Sequence, residues 1–268
     1  SIKRKIEAVG TPLKDWDINI YRGVLTGCNE AFIITTEKRN EILANCQTEE
    51  ERERTKELIR PVLRGRDIKR YGYEWADLWL IATFPSRHYD IEEYPAIKTY
   101  LLSFGIERLE QTGKKYVING EEVKARKKTN NKWFETQDSI NYWQDFLKPK
   151  IIWKRVGSIL RFGYNDNGAL GLDSTCFATG KQIEYLCCVL NSPMGHYLLK
   201  DSPKTGTGDL LISVQAVEPI KVPLINEEEN SKFKNLFKTH QENEINREVY
   251  ELYNLSEEEI KFIMDNYY

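Results

Sequence analysis

The stretch KIIWKRVGSILRFGYNDNG, residues 150–168, alternates apolar runs with turns. The run 150–154 carries Ile151, Ile152 and Trp153, which are residue types enriched in strands. The stretch therefore predicts a strand, a turn, a second strand and another turn. The final Asn-Asp-Asn-Gly resembles a piece of a calcium loop, but the ladder of ligands and the distal glutamate are missing, so a hairpin turn is the better interpretation.

Strand and helix patterns alternate irregularly on both sides of this stretch. Strand patterns occupy 16–36 (two strands around a glycine-bearing turn), 77–84, 115–126 (a hairpin turning at Asn119-Gly120) and the extended 210–225. Helical patterns occupy 48–60, 91–112, 139–147, 180–200 (broken near Pro193) and the chain from 226 to its end. This order predicts an α+β fold with a mixed or antiparallel sheet core, surrounding helices and a helical C-terminal segment.

Composition narrows the class of protein. The chain of 268 residues is 40% hydrophobic and 30% charged, which is too apolar for a disordered chain and too charged for a membrane protein. No apolar run approaches the roughly 18–20 residues that span a bilayer, and the first residues lack the apolar segment of a signal peptide. The five cysteines have no CxxC spacing, which favours free thiols and a cytoplasmic location.

Catalytic signatures are sparse. No GxSxG, HExxH, Walker or GxGxxG motif occurs, and the three histidines lie far apart. TGTGD, residues 205–209, is more typical of a polar loop than of a phosphate cradle. Glu122 and Lys124 have the ExK form of a metal-dependent nuclease, but such a site needs several converging carboxylates, so nuclease activity is a weak alternative.

Charge is unevenly distributed although the net charge is only −2. Residues 113–164 contain twelve Lys/Arg against five Asp/Glu, and residues 227–268 contain eleven acids against five bases. A clustered positive face on a nearly neutral protein is the usual electrostatic footprint of a nucleic-acid binder. The alternative is that each basic run is merely a solvated surface.

Three basic segments supply the candidate DNA-binding residues. We expect one group to hold phosphates: Arg64, Arg66, Lys69 and Arg70. We expect a second group to lie near bases, since Arg pairs with guanine and Asn with adenine: Arg126, Lys127, Lys128, Asn130 and Asn131, followed by Lys154, Arg155 and Arg161. Arg22 is a weaker addition. Asp67 could instead hold Arg64 or Arg70 in a local ion pair.

Several segments in a fixed order resemble one known family. They are YRGVLTGCNEAFII (21–34), IRPVLRGRDIKRY (59–71), WLIATFP (79–85) with YPAIKTYLLSF (94–104), NKWFETQDSINYWQDFLKPKIIW (131–153), STCFATG (174–180) with YLCCVLNSP (185–193), and LLISVQAVEPIKVPLI (210–225). Together they resemble the TaqI-like C-terminal specificity domain of type IIG restriction–modification enzymes. The closing VYELYNLSEEEIKFI is similar to the final helices of those polypeptides.

The resemblance implies a double-stranded-DNA target-recognition domain without catalytic residues of its own. In such enzymes a methyltransferase domain uses S-adenosylmethionine to methylate adenine, often beside a nuclease domain for which magnesium is expected. The family's NPPY motif and cofactor-binding glycine segment are absent here, so we expect no cofactor or metal in this chain. The chain also lacks an initiator methionine, which suggests excision from a longer enzyme.

The implied organisation has three parts and a partner. Residues 1–15 would connect to the missing methyltransferase domain, 16–226 would recognise DNA, and 227–268 would form the C-terminal helices. The basic segments would line one face of a cleft whose other face the missing domain supplies. The alternative function is a scaffolding domain that docks on the methyltransferase domain and reads few bases directly.

Overall fold

The computed structural model describes residues 1–268. Its α-helices are α1 (Ile2–Val9), α2 (Asn29–Phe32), α3 (Thr36–Ala44), α4 (Glu49–Leu58), α5 (Pro95–Leu102), α6 (Ile106–Leu109), α7 (Ile183–Asn191), α8 (Pro193–Leu198), α9 (Val214–Val217), α10 (Glu227–Lys238), α11 (Glu242–Leu252) and α12 (Glu257–Tyr267). Its strands are β1 (Thr11–Pro12), β2 (Ile18–Arg22), β3 (Ile33–Thr35), β4 (Ile59–Leu63), β5 (Ile68–Lys69), β6 (Gly72–Tyr73), β7 (Leu78–Ile81), β8 (Lys115–Ile118), β9 (Glu121–Lys124), β10 (Lys150–Lys154), β11 (Val156–Gly157), β12 (Phe162–Asn165), β13 (Leu170–Gly171), β14 (Thr175–Gly180), β15 (Leu210–Leu211) and β16 (Lys221–Val222). Helices around antiparallel sheets confirm the predicted α+β class.

The chain forms two compact units. Unit 1 contains residues 1–23, 64–74 and 148–268, and unit 2 contains residues 24–63 and 75–147. The predicted boundaries at residues 15 and 226 do not separate these units. Ile2 of α1 and Phe233 of α10 are buried in the same core as Trp153 of β10, because both ends of the chain contribute apolar residues to unit 1.

Unit 1 is built on an antiparallel sheet in the order β12-β10-β14-β2. Trp153 of β10 pairs with Phe162 on one side and with Cys176 on the other. Both strands that frame residues 150–168 are therefore present as predicted. Their apolar side chains pack in one core with the nearly fully buried helix α7.

Asn191 attaches the end of α7 to this sheet. Its buried side-chain Nδ2 donates to the Phe162 carbonyl (2.8 Å), and its side-chain Oδ1 accepts from the Phe162 N–H (3.0 Å). Ser192 then caps α8, and Pro193 occupies the first turn, where its missing N–H costs nothing. The predicted helix break near Pro193 is confirmed. α10 and α11 pack against α7, and α12 packs against α8.

Unit 2 contains the antiparallel sheet β3-β7-β4, with α3 and α4 in contact with its strands. The hairpin β8–β9 turns at Asn119 (φ 52°) and Gly120 (φ 82°). Two positive φ angles define a type I′ turn, which confirms the prediction from the Asn-Gly pair. Thr48 caps α4, at the start of the predicted helical segment 48–60, by accepting from the Glu51 N–H (3.0 Å).

Three predicted segments differ in part from the structure. Residues 139–147 form only a short 3-10 helix at Trp143–Leu147, since Ser86 occupies the carbonyls of Ser139 and Ile140 that a helix would use. Residues 16–36 contain both predicted strands, β2 and β3, but α2 also lies between them and the two strands join different sheets. Residues 210–225 include α9, which Ser213 caps.

Candidate nucleic-acid interface

Several of the candidate cations lie at one end of the unit 1 sheet. Arg22 ends β2 opposite Cys176, and Lys154 ends β10 opposite Thr175, so the two residues flank the start of the same strand, β14. Arg161 immediately precedes Phe162, which pairs with Trp153 beside Lys154. We call this the basic sheet end, and it comprises Arg22, Arg66, Lys154, Arg155 and Arg161.

Gly65 brings Arg66 to this place. The Gly65 N–H donates to Ser174 Oγ (3.0 Å), directly before β14. A Cβ at position 65 would lie 2.9 Å from Lys154 Cγ and 2.9 Å from the Ser174 carbonyl oxygen, closer than real Cβ contacts allow. The glycine between Arg64 and Arg66 therefore permits a backbone approach that sets exposed Arg66 beside exposed Lys154.

Arg64 uses its charge inside the fold. Its Nε and Nη2 donate to the two carboxylate oxygens of Asp67 (3.1 and 2.9 Å), and its backbone N–H donates to the same carboxylate (2.8 Å). Asp67 is only 5% exposed, so the pair closes the turn at Gly65–Asp67. The hydrogen bonds to Asp67 raise the pKa of Arg64. The ion pair considered for Asp67 is present, and Arg64 is its partner.

Arg70 also stabilises the fold. Its guanidinium donates to the Asn191 carbonyl (2.7 Å) and to the Glu242 carboxylate (2.9 Å), linking the β5–β6 loop to α7 and α11. It also lies 5.7 Å from the ring centroid of Tyr71. Arg22 faces Asp173 at 3.6 Å. These arginines keep less free charge than the sequence suggests, because carboxylates already neutralise them.

The remaining candidate cations of unit 1 form no ion pair: Arg66, Lys69, Lys154, Arg155 and Arg161. Arg66 and Lys154 are exposed, and the others are half-buried. The backbone of Arg155 is fixed between Ser174 and Ile212 (2.9 and 2.7 Å), so its side chain starts from a rigid position. Charge at this end of the sheet is therefore available to an external anion.

In unit 2, the burial of Arg126 contradicts the prediction that this side chain lies near bases. The side chain is only 4% exposed, and its guanidinium donates to the carbonyls of Leu109 (2.8 Å), Thr26 (2.6 Å) and Trp133 (2.8 Å). Burial lowers the pKa of Arg126 to about 10. A contact between Arg126 and a base does not fit this burial, because the side chain instead joins three segments of unit 2.

Gln111 is a second residue that holds the segment following Arg126 in place, and no sequence signal singled it out. Its buried amide donates to the carbonyls of Lys132 and Glu135 (3.2 and 3.1 Å) and accepts from Thr129 Oγ1 (2.6 Å). Asn131 donates its own amide to the Gln137 carbonyl (2.9 Å), so this candidate base reader also serves the loop.

The anchored segment exposes a compact set of polar side chains. We call residues 126–132 the anchored loop. Its exposed members are Lys127, Lys128, Asn130 and Lys132, of which Lys132 was not among the candidate site residues. The three lysines form no ion pair, and their backbone is fixed by Arg126 and Gln111. A rigid loop that projects ammonium and amide groups can contact both phosphates and base edges.

The structure adds no support for a nuclease centre. Glu122 and Lys124 lie exposed on β9, and Glu122 faces Lys115 at 3.7 Å. No group of three or more His, Cys, Asp or Glu side chains is placed to share a metal ion. No helix is both long and apolar enough to cross a membrane.

A family comparison identifies the class of domain. The model of the TaqI-like C-terminal specificity domain matches residues 60–210, which is more than half of the chain. The chain belongs to this family of specificity domains. The matched range includes β4 to β15 and therefore both the basic sheet end, Arg22 excepted, and the anchored loop. A comparison with curated proteins found no match.

Two solved structures share the fold. The type IIL restriction–modification enzyme MmeI, solved in complex with DNA, is 11% identical with a TM-score of 0.55, over 97% of this chain and 36% of that one. The type IIG restriction endonuclease BpuSI is 11% identical with a TM-score of 0.50, over 88% of this chain and 27% of that one. The chain thus spans about a third of the length of these enzymes.

Proposed function

We propose that the chain is a double-stranded-DNA target-recognition module of a restriction–modification enzyme. The observation that carries this proposal is that Arg66, Lys154, Arg155 and Arg161, which form no ion pair, gather at the basic sheet end of a specificity-domain fold. Lys and Arg bound to phosphates supply most of the salt-dependent affinity of a protein for DNA. In this account Arg66, Lys154 and Arg161 hold the phosphate backbone, and Lys69 adds a contact nearby.

The anchored loop is the proposed base-reading element. Asn130 exposes a carboxamide, which can pair bidentately with adenine, and Lys127 and Lys128 can donate to guanine. The buried side chains of Arg126 and Gln111 would hold these groups in place before DNA binds. Such preorganisation lowers the entropy lost on binding.

The finer function concerns domains that this sequence does not contain. The module would position target DNA for adenine methylation by an S-adenosylmethionine-dependent methyltransferase domain and for magnesium-dependent cleavage by a nuclease domain. A methyltransferase must flip its target base out of the duplex, which costs a few kcal/mol of unstacking. Contacts to the flanking phosphates would offset part of that cost. We assign no catalytic step to this chain.

A titration of fluorescent duplex DNA with the 268-residue chain tests the proposal. Anisotropy should report binding at low salt, and the logarithm of the affinity should fall linearly with the logarithm of salt concentration. The slope reports how many phosphates are neutralised. Absence of binding to any duplex at low salt would contradict a stand-alone DNA-binding module.

A scaffolding function is the second candidate because α12 and the residue that follows it expose apolar side chains. Phe262, Met264 and Tyr268 are 48%, 41% and 55% exposed, which suits docking on another domain. Charge removal in Lys127→Gln/Lys128→Gln separates the two functions in a full-length enzyme. Unchanged DNA affinity would favour scaffolding, and weaker DNA affinity would favour recognition by the anchored loop.

A further inference from the structure

Unit 2 contains a cleft lined mainly by cations, none of which belongs to the candidate DNA contacts described above. Its volume is about 520 Å³, within the range of about 300–1,000 Å³ that small-molecule sites occupy. It lies among α3, α4, β4, β7 and the turn at Pro85–Arg87. Its lining contains one acid, Glu57, and five cations: Arg39, Arg54, Lys56, Arg60 and Arg87. We therefore call it the arginine cleft.

Aromatic rings hold two of these arginines in place. The guanidinium carbon of Arg39 lies 4.2 Å from the ring centroid of Trp79, and that of Arg87 lies 3.7 Å from the ring centroid of Trp143. A guanidinium stacked on a ring face keeps its N–H groups in its own plane, where they can still donate. Stacking therefore fixes the two donors without using their hydrogen-bonding capacity.

Three of these cations, Arg39, Arg54 and Arg87, form no ion pair with a protein acid. Lys56 pairs with Glu53 (3.2 Å), and Arg54 donates to the Glu93 carbonyl (3.1 Å), which carries no net charge. The Nε atoms of Arg39 and Arg54 are buried without a hydrogen-bond partner. Burial, and to a smaller extent the charge of Arg87, lower the pKa of Arg60, whereas Tyr89 acts in the opposite direction. An anion bound among these cations would compensate their like charges.

We propose that the arginine cleft binds the phosphate groups of a small ligand, such as a nucleotide or pyrophosphate. Guanidinium forks match pairs of phosphate oxygens bidentately, so several fixed arginines favour a multiply charged phosphate over a carboxylate. The exposed flank of Tyr89 and the ring of Trp79 supply apolar surface beside the charges. The site does not depend on the proposed DNA recognition, because none of its lining residues belongs to the basic sheet end or the anchored loop.

Calorimetric titration of the 268-residue chain with inorganic pyrophosphate, at constant ionic strength, tests this site. We expect saturable binding with one site per chain. Arg87→Gln should weaken pyrophosphate binding at least about tenfold. Arg87 is exposed, so its replacement should leave the fold intact. Arg52→Gln is the matched control, because Arg52 lies on α4 outside the cleft and pairs with Glu49; it should bind pyrophosphate like the parent chain.

A parallel experiment with duplex DNA distinguishes a small phosphate ligand from a DNA phosphate. If the cleft serves a small ligand, Arg87→Gln should bind duplex DNA with unchanged affinity, and pyrophosphate should not displace the duplex at constant ionic strength. Loss of duplex affinity in Arg87→Gln together with displacement by pyrophosphate would make the cleft a DNA contact and overturn the small-ligand proposal. Absent pyrophosphate binding, or equal binding by Arg87→Gln, would also overturn it, whatever the chain does with DNA.

Discussion

The turn that begins at Arg64 and the anchored loop have similar compositions but use their arginines differently. In unit 1, Arg64 and Arg70 are paired with Asp67 and Glu242, so carboxylates neutralise their charge. In unit 2, Arg126 is buried against backbone carbonyls and keeps its charge without an acid partner. In both regions the fold binds some of the arginines, Arg64 and Arg70 in unit 1 and Arg126 in unit 2, whereas Arg66, Lys127 and Lys128 stay exposed. Counting cations in a basic segment therefore overestimates the charge available to DNA.

Replacement of Arg126 should have the largest effect on the fold. Arg126→Met keeps the apolar stem but removes one hydrogen bond to each of three carbonyls, at about 1–3 kcal/mol each. The Thr26 carbonyl still accepts from the Gln137 N–H (3.2 Å), so the larger losses fall on Leu109 and Trp133. We expect the free energy of unfolding, measured by urea titration, to fall by at least about 3 kcal/mol. Lys127→Met at the exposed neighbour should change it by less than about 0.5 kcal/mol. Equal effects at both positions would contradict a special anchoring function of Arg126.

The pKa of His196 tests whether the folded chain buries this side chain near Arg70. Burial, and then the charge of Arg70, lower the pKa of His196 to about 4, below its unfolded value of about 6.5. The unfolded chain therefore binds more protons between these values, and stability present above pH 6.5 is lost as the pH falls towards 4. This histidine should contribute up to about 3 kcal/mol to that loss.

The comparison with His196→Gln isolates this contribution. Urea titrations of both chains at several pH values give the difference in unfolding free energy between them. As the pH falls from 7 to 4, the parent chain should lose more unfolding free energy than the variant, because glutamine does not titrate. A difference that stays constant with pH would show that His196 is not held neutral by the fold.

Arg70 and its neighbour Lys69 should separate stability from DNA affinity. Arg70→Gln removes bonds to Asn191 and Glu242 and should cost about 1–2 kcal/mol of unfolding free energy. Lys69→Gln should leave stability within about 0.5 kcal/mol but reduce the salt slope of DNA binding by about 0.9. Urea titration and DNA anisotropy on the same two variants check both expectations. The reverse pattern would contradict a structural function of Arg70 and a DNA contact by Lys69.

Asn130 should have the smallest effect. Asn130→Ala removes an exposed amide without removing charge, so the salt slope should not change. Loss of one base contact should weaken binding to the preferred sequence by about 1 kcal/mol, or about fivefold, and should affect other sequences less. Selection of bound duplexes from a random pool would measure this change. An identical preference in Asn130→Ala and the parent chain would remove Asn130 from the reading surface.

Local chemistry explains which elements could be predicted. Asn119-Gly120 sets its own turn through two positive φ angles, and Ser192 and Pro193 define the start of α8 from adjacent residues. Residues 139–147 could not be predicted in the same way, because Ser86, more than fifty positions earlier, takes the carbonyls of Ser139 and Ile140.

The candidate site shows the same division. The sequence offered Arg64 or Arg70 as the ion-pair partner of Asp67, because both lie three positions from it, and the structure selects Arg64. The fate of Arg126 depends on carbonyls at Thr26, Leu109 and Trp133, which only the folded chain brings together. The gathering of Arg66 with Lys154 likewise depends on the docking of Gly65 on Ser174, and its signal, a lone glycine between two arginines, is ambiguous without the structure.

The salt dependence of DNA binding by a triple variant of the basic sheet end tests the central claim most directly. In Arg66→Gln/Lys154→Gln/Arg161→Gln, the slope of log affinity against log salt should decrease in magnitude by about 2.7 relative to the parent chain. A control with three cations of α10 replaced, Lys232, Lys234 and Lys238→Gln, should keep the parent slope. An unchanged slope in the first variant, or equal losses in both, would contradict DNA binding through the basic sheet end.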